Sequence, residues 1–410
     1  MRLTKSGSMN SDTDKKMLTR QEYDVLRRRL DEPRKFIQVV LGPRQIGKTT
    51  VVRQVLCDIN KPHLYFSADD TAVAGSAWLA SCWTAARLEA QTHPDAGCVL
   101  VIDEIQKVPN WSETVKRQWN DDTWNERNIK VVLLGSSRAL IFQGLSESLM
   151  GRFEEIRMTH WTYAEMRDCF GLTVDEFIYF GGYPGAVEMM QDEARWKVYV
   201  RNSMIDATVN RDIFEDVRIG KAALLRKTLE LGAAYSGRIL SLTKLLGEIQ
   251  DAGNVMTIAG YLERLNQCGL LGTLQKFSVD DARRRASIPK FQVHNNALLT
   301  ALSVGTFEQV RNDPEKWGHY VESAVGAYLI SQAYRLQFEV FYWRDGNNEV
   351  DFVLHKDGKV VALEVKSDHE RHTKGLDVFC QKFRPNAALI VGSGGLPLET
   401  FLETLIADLF

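Results

Sequence analysis

The chain has 410 residues, 44% of them hydrophobic and 25% charged, with 51 Lys and Arg against 53 Asp and Glu. That length predicts two to four domains at about 100–200 residues each, and the composition excludes a disordered or fibrous chain. A net charge of −2 excludes a polycation, so any nucleic-acid contact must come from a local patch.

Six cysteines (Cys57, Cys82, Cys98, Cys169, Cys268, Cys380) lie far apart with no CxxC pair. That pattern fits reduced thiols better than a disulfide framework or a zinc site. No apolar run approaches the roughly 18 residues that span a bilayer, so no membrane contact is expected. The N-terminus is polar, lacks the apolar core of a signal peptide, and offers Met9 and Met17 as alternative starts. The expectation is a soluble, cytoplasmic chain, loose up to about Thr19.

After a helical segment over Thr19–Leu30, the β-rich run Phe36–Leu41 leads into Gly42-Pro43-Arg44-Gln45-Ile46-Gly47-Lys48-Thr49-Thr50 and then a helical pattern from Val51. Strand, glycine loop and helix are the context that the phosphate-loop motif requires. The glycines let backbone N–H groups converge on a phosphate, and the helix N-terminus adds favourable dipole charge. Lys48 then reaches the β- and γ-phosphates, and Thr49 places its hydroxyl on Mg²⁺.

About 55 residues on, Cys98-Val-Leu-Val-Ile-Asp103-Glu104 reads as a buried strand ending in two carboxylates. Asp103 is expected to hold Mg²⁺ and Glu104 to polarise an attacking water. A third strand, Lys130–Gly135, ends in Ser136-Ser137-Arg138. Ligands of open α/β sheets sit beyond the strand C-termini, which suits Ser136 or Ser137 to sensing a γ-phosphate; a plain helix cap fits equally well. Arg152, before the next strand-like segment, is placed to act on a neighbouring subunit's phosphate, or is a surface arginine.

Trp196–Asp216 reads as an amphipathic helix. Ala222–Tyr235, Ser241–Ile249 and Met256–Leu265 follow as three short helices, then a strand from Gly272 and a polar turn ending Arg283-Arg284-Arg285. That is the winged helix-turn-helix pattern. Residues 220–300 hold 11 Lys and Arg against 6 Asp and Glu, which suits DNA phosphates. The expected recognition helix offers only Arg264 to base edges, so a packing or partner surface fits as well.

The last segment reads as a helix around Trp317–Leu329, then strands Phe338–Trp343, Glu349–Leu354 and Lys359–Ser367. Asp351 and Glu364 fall on adjacent strands of a hairpin, and period two puts Glu364 and Lys366 on one face. Two facing carboxylates can hold a divalent metal, and a neighbouring lysine can act on its water, as in metal-assisted phosphodiester hydrolysis. The same residues also fit a cross-strand salt bridge.

Together, GPRQIGKTT, VLVIDEIQKVPNW (Val99–Trp111), LLGSSRAL, SLMGRFEEI (Ser148–Ile156) and FGGYPGAVE (Phe180–Glu188) resemble the prokaryotic AAA+ ATPases related to archaeal STAND-type ATPases. The likeness runs from about residue 19 to 405. It implies an α/β fold class: a P-loop NTPase with a parallel sheet and flanking helices, an all-α lid, a winged helix-turn-helix and a small α/β restriction-endonuclease-like domain.

The expected boundaries are a loose terminus over 1–18, the ATPase core 19–160, the lid 161–219, the winged helix 220–305 and the nuclease-like domain 306–410. The resemblance implies that Lys48, Thr49, Asp103 and Glu104 serve ATP and Mg²⁺, that Ser136–Arg138 are sensors and that Arg152 is an arginine finger, which makes a homo-oligomer plausible. It places a lid contact near Gly182-Tyr183-Pro184, with Arg201 and Arg211 as candidates for a second sensor. The tail resembles the PD-(D/E)xK nuclease core, with Asp351, Glu364 and Lys366 central and Glu322 as the helix carboxylate, binding Mg²⁺ or Mn²⁺. Val350 stands where that core usually has proline. The expected function is an ATP-hydrolysing protein coupled to a metal-dependent nuclease acting on DNA. The alternative is an ATP-dependent signalling or assembly switch whose inactive tail binds a protein partner.

Overall fold

Short Val-, Ile- and Leu-rich runs build the centre of the first sheet because each can bury both faces, with half-buried strands at its two edges. The computed structural model describes residues 19–71, 74–135, 148–213, 222–249, 254–280, 284, 287–367 and 374–410. Strands β1 (Ile37–Leu41), β2 (His63–Ser67), β3 (Cys98–Asp103), β4 (Ile129–Gly135) and β5 (Phe153–Arg157) are all parallel, in the order β2-β3-β4-β1-β5.

Alternate side chains face opposite ways. Ile37, Val39 and Leu41 join Leu100, Ile102, Val131 and Leu133 against α3 (Ser76–Thr92) and α4 (Trp111–Trp124). Val40, Val99, Val101, Val132 and Leu134 pack on α1 (Gln21–Asp31) and α2 (Lys48–Asp58). Each fully buried side chain of this kind contributes about 1.5–3 kcal/mol. With every strand parallel, Leu41, Asp103 and Gly135 end at one edge of the sheet, and β4 separates β1 from β3.

Two capping boxes start the next helices. Thr162 with Glu165 begins α5 (Tyr163–Phe170), and Thr173 with Glu176 begins α6 (Val174–Phe180). Helix α7 (Glu193–Tyr199) continues as π-helical turns over Val200–Asp206 and Thr208–Ile213. Helices α8 (Ala222–Ala234), α9 (Leu242–Glu248) and α10 (Val255–Gln267) precede the antiparallel pair β6 (Leu271–Lys276) and β7 (Lys290–Val293). Ser241 caps α9, its Oγ accepting from the Lys244 N–H at 3.1 Å.

After α11 (Asn296–Leu302) comes the long α12 (Pro314–Leu336), then β8 (Glu339–Asp345), β9 (Asn348–Lys356), β10 (Lys359–Lys366), α13 (Lys374–Phe383) and β11 (Ala387–Gly392). These strands do not form a sheet of their own. The order is β11-β10-β9-β8-β6-β7, because β6 pairs in parallel with β8 through Gln275↔Phe341 and Lys276↔Tyr342. One sheet thus runs across the boundary expected at 305/306. The β6–β7 pair is not a free-standing wing: its edge is covered by β8.

Candidate functional site: the glycine loop and the elements that grip it

The glycine loop leaves β1 at Leu41 and re-enters α2 at Lys48. Gly47 lies at φ +93° and Gln45 at φ +58°, the left-handed backbone a tight loop needs. A Cβ on Gly42 would stand 2.4 Å from the Met158 carbonyl, so only glycine fits there. Ile46 is fully buried and presents only its backbone to the loop; Thr50 is exposed, and Pro43 and Arg44 are half-buried. Lys48 is 7% exposed, its Nζ donating to the carbonyls of Gly42 at 2.8 Å and Pro43 at 2.7 Å. The ammonium therefore lies folded over the loop it serves, where an incoming phosphate competes for it.

The structure brings Thr49 and Asp103 together, Thr49 Oγ1 donating to Asp103 Oδ2 at 2.9 Å. Asp103 Oδ1 accepts from the Glu104 N–H at 2.8 Å. A third donor, Tyr65 of β2, gives its hydroxyl to Asp103 Oδ2, and burial together with Asp103 pushes that phenol well up. Glu104 sits at φ +52°, its Oε2 accepting from Gln106 Nε2 at 2.5 Å. The hydroxyl and carboxylate oxygens at Thr49 and Asp103 are a hard-oxygen donor set that suits Mg²⁺.

Arg152 is not near this edge in its own chain. It precedes Phe153, which pairs with Ile37 at the start of β1, so it stands at the opposite end of the sheet from Lys48. Its Nε donates to Asn120 Oδ1 at 3.2 Å. Ser136, Ser137 and Arg138 lie outside the described residues, as do residues 1–18, the Arg211 side chain, Arg283 and Arg285. Arg201 donates to the Ala301 carbonyl, which ties it to α11 rather than to a phosphate.

Elements from the rest of the chain grip the loop. The Ile46 carbonyl accepts from Trp161 Nε1 at 3.0 Å and Arg20 Nη1 at 3.4 Å. Arg20 is 2% exposed and also pairs with Glu165 at 3.1 Å and Glu22 at 3.6 Å. Glu22 in turn holds Arg335 Nη2 of α12 at 3.1 Å. Tyr199 donates to Gln45 Oε1 at 2.8 Å, and a Cβ on Gly185 would lie 3.4 Å from that same oxygen. A Cβ on Gly269, just past α10, would meet Pro43 Cγ at 2.5 Å. The Gly269 carbonyl lies 2.9 Å from His160 Nε2, and Asn295 Nδ2 lies 3.2 Å from His160 Nδ1. Burial holds that imidazole down at about 4.

In the second sheet, β9 and β10 pair antiparallel through Phe352↔Leu363, and one step further stand Asp351 and Glu364. Asp351 Oδ2 accepts from the Val365 N–H at 2.8 Å, and Lys366 Nζ donates to Glu364 Oε1 at 2.8 Å. Both carboxyls are pushed above the usual range by burial first, Asp351 then by Glu322 and Glu364 then by Asp351. The expected metal set of Glu322, Asp351 and Glu364 does not form. Glu322 Oε1 is ion-paired at 2.6 Å with Lys290 Nζ, and among the described residues no three His, Cys, Asp or Glu side chains converge to hold a metal ion. The expected base-reading Arg264 is half-buried with Nη1 fully covered. Arg284 packs 5.2 Å over Phe341 and pairs with Glu339 at 3.6 Å, so it lies against β8 instead of projecting toward a phosphate.

Sequence reasoning missed Tyr65, Arg20, Arg335 and Lys290. Each acts on a partner far away in the chain, and no local spacing marks it.

Residues 34–167 match the family model of an AAA domain. Residues 172–309 and 317–403 match two domains of unknown function, DUF8612 and DUF4143. No curated protein matches the chain. Among solved structures, the Walker-type ATPase PABY2304 of Pyrococcus abyssi is 12% identical over 72% of this chain and 99% of its own, with a TM-score of 0.49. The Aeropyrum pernix ORC1 protein in complex with DNA is 13% identical over 69% and 91%, TM-score 0.30. The Thermotoga maritima RuvB Holliday junction branch migration motor is 18% identical over 61% and 85%, TM-score 0.31. On the family match and the loop it contains, the chain carries a P-loop ATPase domain of the AAA type over residues 34–167.

Proposed function

We propose that this protein is an ATP-hydrolysing switch, in which nucleotide at the glycine loop sets how lid, winged helix and tail dock on it. One observation carries the reading: the buried cluster of Arg20, Glu22, Glu165 and Arg335 reaches from the Ile46 carbonyl to α5 and to α12. Glu322 and Arg335 lie on that same helix, thirteen residues apart, which is a rigid rod of about 20 Å between the loop and the tail's carboxylates.

In hydrolysis, the backbone N–H groups from Arg44 to Lys48 bind the phosphates, with the α2 N-terminus behind them. Lys48 leaves the Gly42 and Pro43 carbonyls for the β- and γ-oxygens and neutralises charge that grows in the transition state. Thr49 and Asp103 would hold Mg²⁺, which would supply Lewis-acid stabilisation of phosphate charge. Glu104, oriented by Gln106, accepts a proton from the attacking water. Tyr65 fixes the Asp103 carboxylate. Gln45 and Pro43, touched by Tyr199 and Gly269, pass any loop movement to the lid and the winged helix. ATP turnover with hydrogen exchange along α12, with and without ATP and in Lys48→Ala, tests the reading. Exchange in α12 that ignores ATP in the active protein would sink it.

A second reading, metal-dependent DNA cleavage by Asp351, Glu364 and Lys366, is favoured by Glu364 Oε2, which is buried without a hydrogen-bond partner. Incubation with single- and double-stranded DNA and Mg²⁺ or Mn²⁺, beside Asp351→Asn, separates the two. Cleavage lost in that variant would establish a nuclease. An oligomer built through Arg152 belongs to either reading and is tested by mass measurement with ATP.

A further inference from the structure

The tail's carboxylates meet a cation that the chain itself supplies. Lys290 opens β7, the last strand in the order of the second sheet, and its side chain is 0% exposed. Its Nζ lies 2.6 Å from Glu322 Oε1, 3.0 Å from the Asp351 backbone carbonyl and 4.0 Å from Asp351 Oδ1. It also stands 4.7 Å over the Phe352 ring. Burial works against the charge, but Glu322 and Asp351 outweigh it and hold the ammonium above its ordinary value.

Geometry leaves little for a second cation. A divalent ion bound to Asp351 Oδ1 would sit about 2.0–2.6 Å from that oxygen and so no more than about 7 Å from an ammonium that is itself 4.0 Å away from it. Two cations that close repel strongly in a site screened from water. The oxygens a metal would need are also engaged: Glu322 with Lys290, Asp351 Oδ2 with the Val365 N–H, Glu364 Oε1 with Lys366. Glu364 Oε2 is buried without a hydrogen-bond partner and Asp351 Oδ1 has the Lys290 ammonium 4.0 Å away, so the oxygens left for a metal lie beside a cation already in place.

We propose that Lys290 is a built-in counter-cation that stands in place of a divalent metal ion among Glu322, Asp351 and Glu364. The tail then takes no metal in its native state, and the same ammonium fastens β7 to α12 and β9. Exchanging the lysine for a neutral residue would unmask a divalent-cation site that the native chain does not have.

The test is Mn²⁺ binding by electron paramagnetic resonance on the full-length, nucleotide-free chain. All proteins carry Asp103→Asn, so that the glycine loop does not report. The chain with Lys290 intact is expected to hold no Mn²⁺ in the tail, and Lys290→Gln to gain one site at least about tenfold tighter. Adding Asp351→Asn should abolish that site again. If Lys290→Gln does not fold, Lys290→Met, which keeps the length of the buried stem beside Phe352 and leaves all three carboxylates, carries the same comparison. Mn²⁺ held by the protein with Lys290 intact and lost in Asp351→Asn would overturn the proposal, as would a folded lysine variant that gains no site. ATP turnover enters none of these outcomes, so the switch reading stands or falls separately.

Discussion

Arg335, near the end of the 23-residue α12, donates to Glu22 of the first helix at 3.1 Å. This ion pair ties the tail's long helix to the first helix, and Glu22 shares its carboxylate with Arg20, whose guanidinium touches the glycine loop. Both partners are nearly dry, with 12% and 8% of their side chains exposed. Arg335→Gln leaves a buried carboxylate short of one cation and should cost about 3 kcal/mol. Urea unfolding measures that loss. Hydrogen exchange on the same variant should also show α12 deaf to ATP.

Hydrolysis should separate from binding by residue. Lys48→Ala is expected to lose ATP affinity and to lower kcat by about 100-fold or more, because the charge aimed at the γ-phosphate is gone. Glu104→Gln should keep affinity while kcat falls about 10²–10⁴-fold, the range of a lost general base. Fluorescent-nucleotide titration and phosphate release read the two effects. Unchanged affinity in Lys48→Ala would contradict a binding role for Lys48, and lost affinity in Glu104→Gln a purely catalytic one for Glu104.

Tyr65→Phe removes one donor from Asp103 without touching nucleotide. The folded state should lose about 1 kcal/mol. More telling, the Mg²⁺ concentration for half-maximal turnover should shift, with ATP affinity in the absence of metal unchanged. A stability loss without any Mg²⁺ shift would make the tyrosine a packing residue only.

The pH dependence has a defined sign. His160 is held at about 4 by burial, with Arg20 and Lys48 also opposing its charge, against about 6.5 in an unfolded chain. Between those values the unfolded state takes up a proton that the folded state refuses. Stability is therefore full above about pH 6.5 and is lost as pH falls toward 4. Asp351 and Glu364 are shifted upward and act in the opposite direction, but they are common to both proteins in a comparison with His160→Asn. Melting temperatures should fall more steeply from pH 6.5 to 4 in the parent chain than in that variant.

The glycine loop and Asp103-Glu104 were legible in the sequence because each is written within a few residues. A strand, a turn and a helix start leave a contiguous pattern, and period two likewise put Glu364 and Lys366 on one face. Parallel pairing then did the rest at the first site, bringing Thr49 against Asp103 as the motifs required. Tertiary structure alone decided what surrounds these groups. Tyr65 reaches Asp103 only because β2 lies beside β3, and Arg20 meets Arg335 through Glu22 only because the tail folds back on the first helix. Lys290 reads in sequence as one more basic residue of a wing. Pairing of β6 with β8 carries it under α12, where burial makes its charge depend on Glu322 and makes that carboxylate unavailable to a metal. Local patterns encode which chemistry a segment can offer, whereas the dielectric and the counter-charges that permit it come from segments tens to hundreds of residues apart.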